Sequence, residues 1–247
     1  MSALAVVVST IASRKSLFER SLKTWRTSIV HAGIDAHVCV YAEGWNPQEI
    51  VREALGDIPF TIRTAHLSGS HVPGYNFFIG SHRAERYLFT HPEILFPSAT
   101  VAQAAQVEPN EFMAFKAFWV PRWMTENLDR YEWQQPETLE QEEDLYTFDA
   151  REKGEFYANR GIRAIQAWEA STTWAIDHAT LQRMRPPFPD FREWGPDVVF
   201  LVGLRVRLGI RDRTVQDPIL FHQWHQPADH TKNPVPRALQ ALATHPS

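Results

Sequence analysis

A single cysteine, Cys39, stands in 247 residues. It lies inside an apolar stretch with no second cysteine to meet, so a disulfide framework is excluded and a reducing cytoplasm is the expected compartment. Long apolar runs are missing too. None approaches the roughly 20 residues a membrane-spanning helix needs, so no membrane span is expected. Ala3–Ser9 is apolar but short, with no basic segment before it, and reads as a buried strand and not as a signal peptide. Excess positive charge is absent. Lys and Arg number 25 against 29 Asp and Glu, a net charge of −4, which argues against a nucleic-acid backbone as the main partner. Also absent are G-x-G-x-x-G after the first strand, G-x-x-x-x-G-K-S/T, H-E-x-x-H and G-x-S-x-G. Classical dehydrogenases, P-loop NTPases, zincins and α/β-hydrolases are thereby set aside.

What is present is the make-up of a globular protein, 44% hydrophobic and 22% charged, long enough to bury a full core. Nine tryptophans are notable, because aromatic rings fill cores first and line sugar sites second. The first half alternates strand and helix signals. Ala3–Ser9 is a strand buried on both faces. Ser16–Glu19 has capping-box spacing, and Phe18, Leu22, Trp25 and Ile29 recur at helical spacing up to a stop at Gly33. Ala36–Tyr41 is a second strand, and Asn46 with Pro47 opens a second helix. Phe60–Ala65 is a third strand, Tyr75–Arg86 a helix and Tyr87–Thr90 a short fourth strand. Such repetition predicts parallel strands with right-handed crossovers.

From Glu126 to Asp149 there are nine acidic residues and one basic one, read as a solvated insertion or as a lid over an acceptor. Regular signals return with a strand at Ser171–Asp177 and a short helix at Ala179–Met184. A helix at Asp197–Leu208 ending at Gly209 and a strand at Thr214–Phe221 follow. Residues 227–247 read as a mobile or loosely packed tail.

Open parallel sheets place ligands at the carboxyl ends of their strands. Three such ends carry polar residues here: Ser9–Ser13, Ala42–Gly44 and Thr90–Glu93. Together they suggest a nucleotide crevice. Glu93 at the mouth of the sheet suits Mg²⁺ or Mn²⁺, and His222 in His222–Gln223–Trp224–His225 is a second candidate ligand. The plainer readings are a solvated or capping glutamate and structural histidines. Phe188–Asp197 sets an aromatic-rich turn before a helix, with Asp197 in its first turn, where the helix dipole keeps a carboxylate ionised. Asp197 is either a general base or a helix stabiliser.

These pieces, in this order, resemble the GT-A fold glycosyltransferases, particularly family 2, with a C-terminal part also like the galactosyltransferase family. Ala5–Thr10 followed by Leu17–Leu22 looks like the family's opening strand and helix. His91–Pro97 resembles a variant of its Asp-x-Asp segment. Phe188–Asp197 with Leu204–Arg205 and Gly209 resembles its G-F-D-E-x-F, W-G-x-E-D and R-x-x-x-x-G run, and His222 and His225 match its terminal H-x-x-H. The sequence departs from the pattern at three points. Ser9–Thr10–Ile11–Ala12 replaces a Pro-Thr turn, His91–Pro92–Glu93 replaces Asp-x-Asp, and Pro196–Asp197–Val198 keeps one acid of a pair.

The resemblance implies an α/β GT-A fold with a mainly parallel central sheet, forming one catalytic domain over residues 1–226. Residues 1–98 would be the nucleotide-binding half, 99–170 a variable part and 171–226 the acceptor half. It implies an inverting glycosyltransferase using a nucleoside diphosphate sugar, with UDP-sugars as the expected class. Ser9, Thr10 and Glu43 would line the nucleotide, and Glu93 and His222 would hold a divalent metal, Mn²⁺ or Mg²⁺. Asp197 would be the base, and Trp194, Gly195 and His225 would meet the sugar or acceptor. The acceptor is left open among saccharide, protein and modified nucleobase. Three other readings stand beside this one: a protein that binds the nucleotide-sugar without turnover, an enzyme acting on modified bases in DNA through Arg205, Arg207, Arg211 and Arg213, and an unrelated nucleotidyltransferase on a similar sheet, which would release pyrophosphate.

Overall fold

The computed structural model describes residues 2–67, 70–141, 145, 151–152, 173–189, 196–225 and 235–245. Strand β1 (Ser2–Ile11) lies between β2 (Ala36–Glu43) and β4 (Ala84–Thr90), parallel to both, and β3 (Phe60–Ala65) extends the parallel set beyond β2. On the other side come β7 (Trp174–Asp177), β6 (Glu111–Trp119), β8 (Arg211–His222) and β5 (Ile94–Leu95), giving one eight-stranded sheet. β7 is antiparallel to β4 and β6, β5 is antiparallel to β8, and β6 and β8 are parallel. The expected α/β sheet is therefore present, mainly parallel with an antiparallel insertion.

The unbroken apolar run of β1 has a simple cause. Leu4, Val6 and Val8 pack into one core with Phe18, Leu22 and Trp25, while Ala5 and Val7 face a second core with Tyr75 and Phe78. A strand covered on both faces has no polar side to alternate with. Helix α1 (Lys15–Ala32) buries Phe18, Leu22, Trp25 and Ile29 and ends at Gly33, whose φ of 62° is the left-handed closure its sequence predicts. Removing four side chains of this size from water stabilises the fold by about 1.5–3 kcal/mol each. The capping box is not formed. α1 starts directly from a short 3₁₀ turn at Ala12–Arg14, which puts Ser16 inside the helix.

In α2 (Gln48–Leu55) the first amide donates to Asn46 Oδ1 at 3.1 Å, as the Asn-Pro signal predicts. The next helix is shifted from its expected span. α3 covers Val72–Ser81 with Pro73 in its first turn, and Ala84–Arg86 belong to β4, where they pair with β1. Pairing with the central strand overrides local helical spacing. α4 (Thr100–Ala104) and α5 (Arg122–Glu126) flank β6, a strand not anticipated because Glu111 and Lys116 break its apolar run and it shows no alternation.

The acidic segment is less solvated than its charge suggests. Leu128, Trp133, Leu139 and Leu145 form a third core with Leu95, Phe118, Val120, Met124 and Phe221. α6 (His178–Arg183) and α7 (Pro196–Leu208) lie where they are expected, and Gly209 follows α7 with a φ of 63°. The tail holds a further helix, α8 (Val235–Thr244), against α7. Arg207 donates to the carbonyls of Leu242 and His245, and a Cβ at Gly203 would come within 2.5 Å of Leu242. The expectation of a loose tail does not hold for this segment.

Candidate functional site

The parallel register sets the carboxyl ends of β1, β2 and β4 side by side: Thr10 is level with Ala42, Ile11 with Glu43 and Val8 with Thr90. Thr10 and Glu43 are buried there, and Thr10 Oγ1 has no hydrogen-bond partner. Trp45 Nε1, just past β2, and His71 Nδ1, just before α3, are likewise buried and unpartnered. Buried polar atoms are nearly always satisfied, so three orphans at one end of a sheet suggest partners supplied by a ligand. Ser9 differs. Its hydroxyl donates to the carbonyl of His71 at 3.3 Å and lies beneath Gly74 of α3, so it secures α3 instead of facing the crevice.

Beyond β4 the chain turns through His91 and Pro92 to Glu93, then enters β5. Pairing of Ile94 with His222 draws this loop onto the end of β8. Two further contacts fix it: Trp25 Nε1 donates to the Ile94 carbonyl at 2.8 Å, and the Phe96 amide donates to Thr24 Oγ1 at 3.0 Å. After β8, the Trp224 amide donates to Thr125 Oγ1 at 2.9 Å, so α5 holds the final turn.

The result is an imidazole ring of donors around one carboxylate. Glu93 Oε1 lies 3.1 Å from His225 Nε2, 3.3 Å from His222 Nε2 and 3.7 Å from His91 Nδ1. His91 stacks on half-buried His71 with centroids 4.3 Å apart. Burial alone would raise the Glu93 carboxyl, but hydrogen bonds from His222 and His225, with His91 close beside them, outweigh it and hold the group well below the usual carboxylate range. Burial wins on the other side of the pair and lowers His222 to about 4 despite Glu93. At neutral pH a carboxylate thus faces neutral imidazole. Burial, then His91, lowers His71 to about 3.

Ligand atoms of His91, Glu93 and His222 all lie within 4.8 Å of one another, and two imidazoles with one carboxylate fit Mn²⁺ or another divalent ion. The structure thus brings the two expected metal ligands together. It also adds His91 to them, and it places His225 on Glu93. Arg14, which the sequence reading passes over, is close enough for its charge to act on Glu93, although burial is the larger influence and lowers the arginine. Its signal was its place, in the turn directly after β1. Trp194 and Gly195 lie outside the described residues, and of Asp197 the structure gives the backbone position, the second residue of α7.

Solved structures share this arrangement of elements. S. aureus TarS 1-349 in complex with UDP-GlcNAc aligns over 98% of this chain and 66% of its own, with a TM-score of 0.66 at 12% identity. A mannosyltransferase from Pyrobaculum calidifontis in complex with GDP-Man and Mn²⁺ aligns over 92% and 58%, with a TM-score of 0.59 at 16% identity. The fold is GT-A. At such low identity the likeness establishes that fold and not a substrate. No protein-family model and no curated protein matches the sequence. The chain spans 66% or less of the length of these two GT-A proteins.

The four arginines that suggested a duplex-binding face are engaged within this GT-A domain. Arg205 is buried over Phe112 and pairs with Asp212 at 2.5 Å, and Arg207 binds α8. Arg211 and Arg213 pair with Glu111 at 3.1 and 3.5 Å. No described helix is long and apolar enough to cross a membrane.

Proposed function

We propose that this chain transfers a sugar from a nucleoside diphosphate sugar, with UDP-sugars the favoured class, to an acceptor hydroxyl with inversion. One observation carries the reading: His91, Glu93 and His222 converge at the carboxyl ends of the parallel strands in a GT-A fold. Thr10, Glu43 and Trp45 would meet the nucleoside, with the unpartnered Thr10 and Trp45 atoms finding their partners on it. Ser9 would act indirectly, through the backbone of His71.

His91, Glu93 and His222 would hold the divalent ion, with His225 completing the polar wall beside Glu93. A divalent cation there supplies positive charge to a departing diphosphate. Arg14 adds a fixed cation of the same sign on that side. Asp197, in the first turn of α7, takes the acceptor proton as the acceptor oxygen bonds the anomeric carbon. The bond from that carbon to the phosphate oxygen breaks with its electrons leaving on the diphosphate. Trp194 and Gly195 would pack against the sugar or acceptor. Non-catalytic binding is the second reading, favoured by the single acid in Pro196–Asp197–Val198.

The test is incubation with UDP-GlcNAc and with GDP-mannose, with Mn²⁺ or with a chelator, following both binding and release of nucleoside diphosphate. Release together with an inverted anomer in the product supports transfer. Binding without release at any acceptor supports the second reading. Failure to bind either donor class would remove both.

A further inference from the structure

At the opposite end of β2 from Glu43, a second cluster of donors has no part in the chemistry above. His37 and Cys39 are two apart on β2, so their side chains leave the same face of the sheet. Cys39 lies four residues before Glu43, about 13 Å along the strand at ~3.3 Å per residue. His82, at the end of α3, reaches the same place across β1, and its ring packs at a tilt against that of His37 with centroids 4.2 Å apart. Ala5, the β1 residue level with His37, leaves room between them. One nitrogen or sulfur from each of His37, Cys39 and His82 lies within 4.8 Å of the others.

Both imidazoles are oriented by hydroxyls. His37 Nε2 meets Thr61 Oγ1 at 2.8 Å, and His82 Nε2 meets Ser2 Oγ at 3.2 Å. An outer hydrogen bond that fixes one ring nitrogen and leaves the other for an ion is the usual setting of a metal-bound histidine. The backbone of His82 is pinned as well, because Tyr87 donates its phenol to the His82 carbonyl at 3.0 Å. Cys39 is fully buried, while the two imidazoles are partly open to solvent, which leaves an ion a route in.

We propose that His37, Cys39 and His82 form a three-ligand site for a zinc-class divalent ion that ties β2 to the α3–β4 junction across β1, with the fourth coordination position open. One thiolate with two imidazoles is a donor set for a borderline-soft ion in tetrahedral geometry, unlike the carboxylate-containing set around Glu93. On binding, the Cys39 thiol passes its proton to solvent as the sulfur–metal bond forms.

The single cysteine makes the test specific, since a thiolate-to-metal signal has one possible origin. Chelator-treated full chain is titrated with Co²⁺ and followed for the thiolate-to-cobalt charge-transfer absorption. One equivalent is expected to give that band in the wild type and in Glu93→Gln, which removes the carboxylate of the other site. His37→Ala and His82→Ala are expected to weaken the band-forming affinity at least about 10-fold, the smallest loss usual even for an outer-shell partner. Both positions are partly exposed, so these variants should fold, and circular dichroism checks that they do. Absence of the band in folded wild type at saturating Co²⁺ would overturn the site. So would a band of unchanged affinity in both histidine variants.

Discussion

The Glu93 carbonyl accepts two hydrogen bonds from Gln223, one from its backbone amide at 3.1 Å and one from its side-chain amide at 3.2 Å. The same side-chain nitrogen lies 3.1 Å from both the Leu17 carbonyl and Ser21 Oγ. A fully buried amide therefore joins α1, the turn after β4 and the end of β8 directly beneath the ring of histidines.

Gln223→Leu keeps the side-chain bulk and removes the donor. Its buried acceptors lose their partner, which costs about 1–3 kcal/mol. Urea unfolding should show a lower midpoint with an unchanged slope. Divalent ion binding at Glu93 should weaken as well, because the backbone that aims the carboxylate is released. A variant as stable as the wild type would show that Gln223 is not the tie.

Glu93→Gln tests the site itself. Nucleotide at roughly 100 times its dissociation constant should stabilise the wild type by about 2.7 kcal/mol, and Mn²⁺ should enlarge the effect. In Glu93→Gln the Mn²⁺ increment is expected to vanish, while binding of nucleotide alone persists. Turnover should fall by about 100-fold or more, the usual consequence of removing electrostatic support for a leaving group. An unchanged response to Mn²⁺ would move the ion elsewhere.

The legibility of this protein in its sequence divides along physical lines. The parallel half was readable because β1, α1 and β2 carry signals that pairing and packing reinforce: Phe18, Leu22, Trp25 and Ile29 all reach the core. β6 was not, because Glu111 and Lys116 break its apolar run, so it shows neither the unbroken run of β1 nor an alternation. Glu93 and His222 were paired through the family resemblance, and the structure joins them through the Ile94–His222 pairing and the bonds of Gln223 to the Glu93 carbonyl. His71 and Arg14 carried no motif at all. They join the site because the ends of β1 and α3 are neighbours in space, a relation that residue spacing does not record. The proposed roles of Trp194, Gly195 and Asp197 still rest on the family resemblance.

Gly74→Ala probes how α3 is seated. A Cβ at Gly74 would stand 2.2 Å from Ser9 Oγ and 2.7 Å from Tyr41 Cβ, closer than atoms pack. The serine hydroxyl is able to turn away, but the Tyr41 Cβ is fixed to the strand, so α3 must move. Overpacking of this kind costs about 1–3 kcal/mol. Thermal unfolding should register the loss, and Gly74→Ala with Ser9→Ala should recover little of it. Full recovery in the double variant would mean that the hydroxyl alone sets the spacing.

Asp197→Asn separates transfer from binding. The amide has nearly the same shape as the carboxylate but does not take up the acceptor proton, so turnover should fall by at least about 100-fold. Donor binding should be unaffected, since the base acts on the acceptor and not on the nucleotide. The product anomer, read by NMR on wild-type protein, supplies the complementary check. Direct attack by an acceptor on the opposite side of the anomeric carbon inverts it, whereas a covalent sugar on the protein would restore the original configuration in the second step. Retention, or wild-type turnover in Asp197→Asn, would take the base assignment away from Asp197 and leave its place in the first turn of α7 as a matter of helix stability.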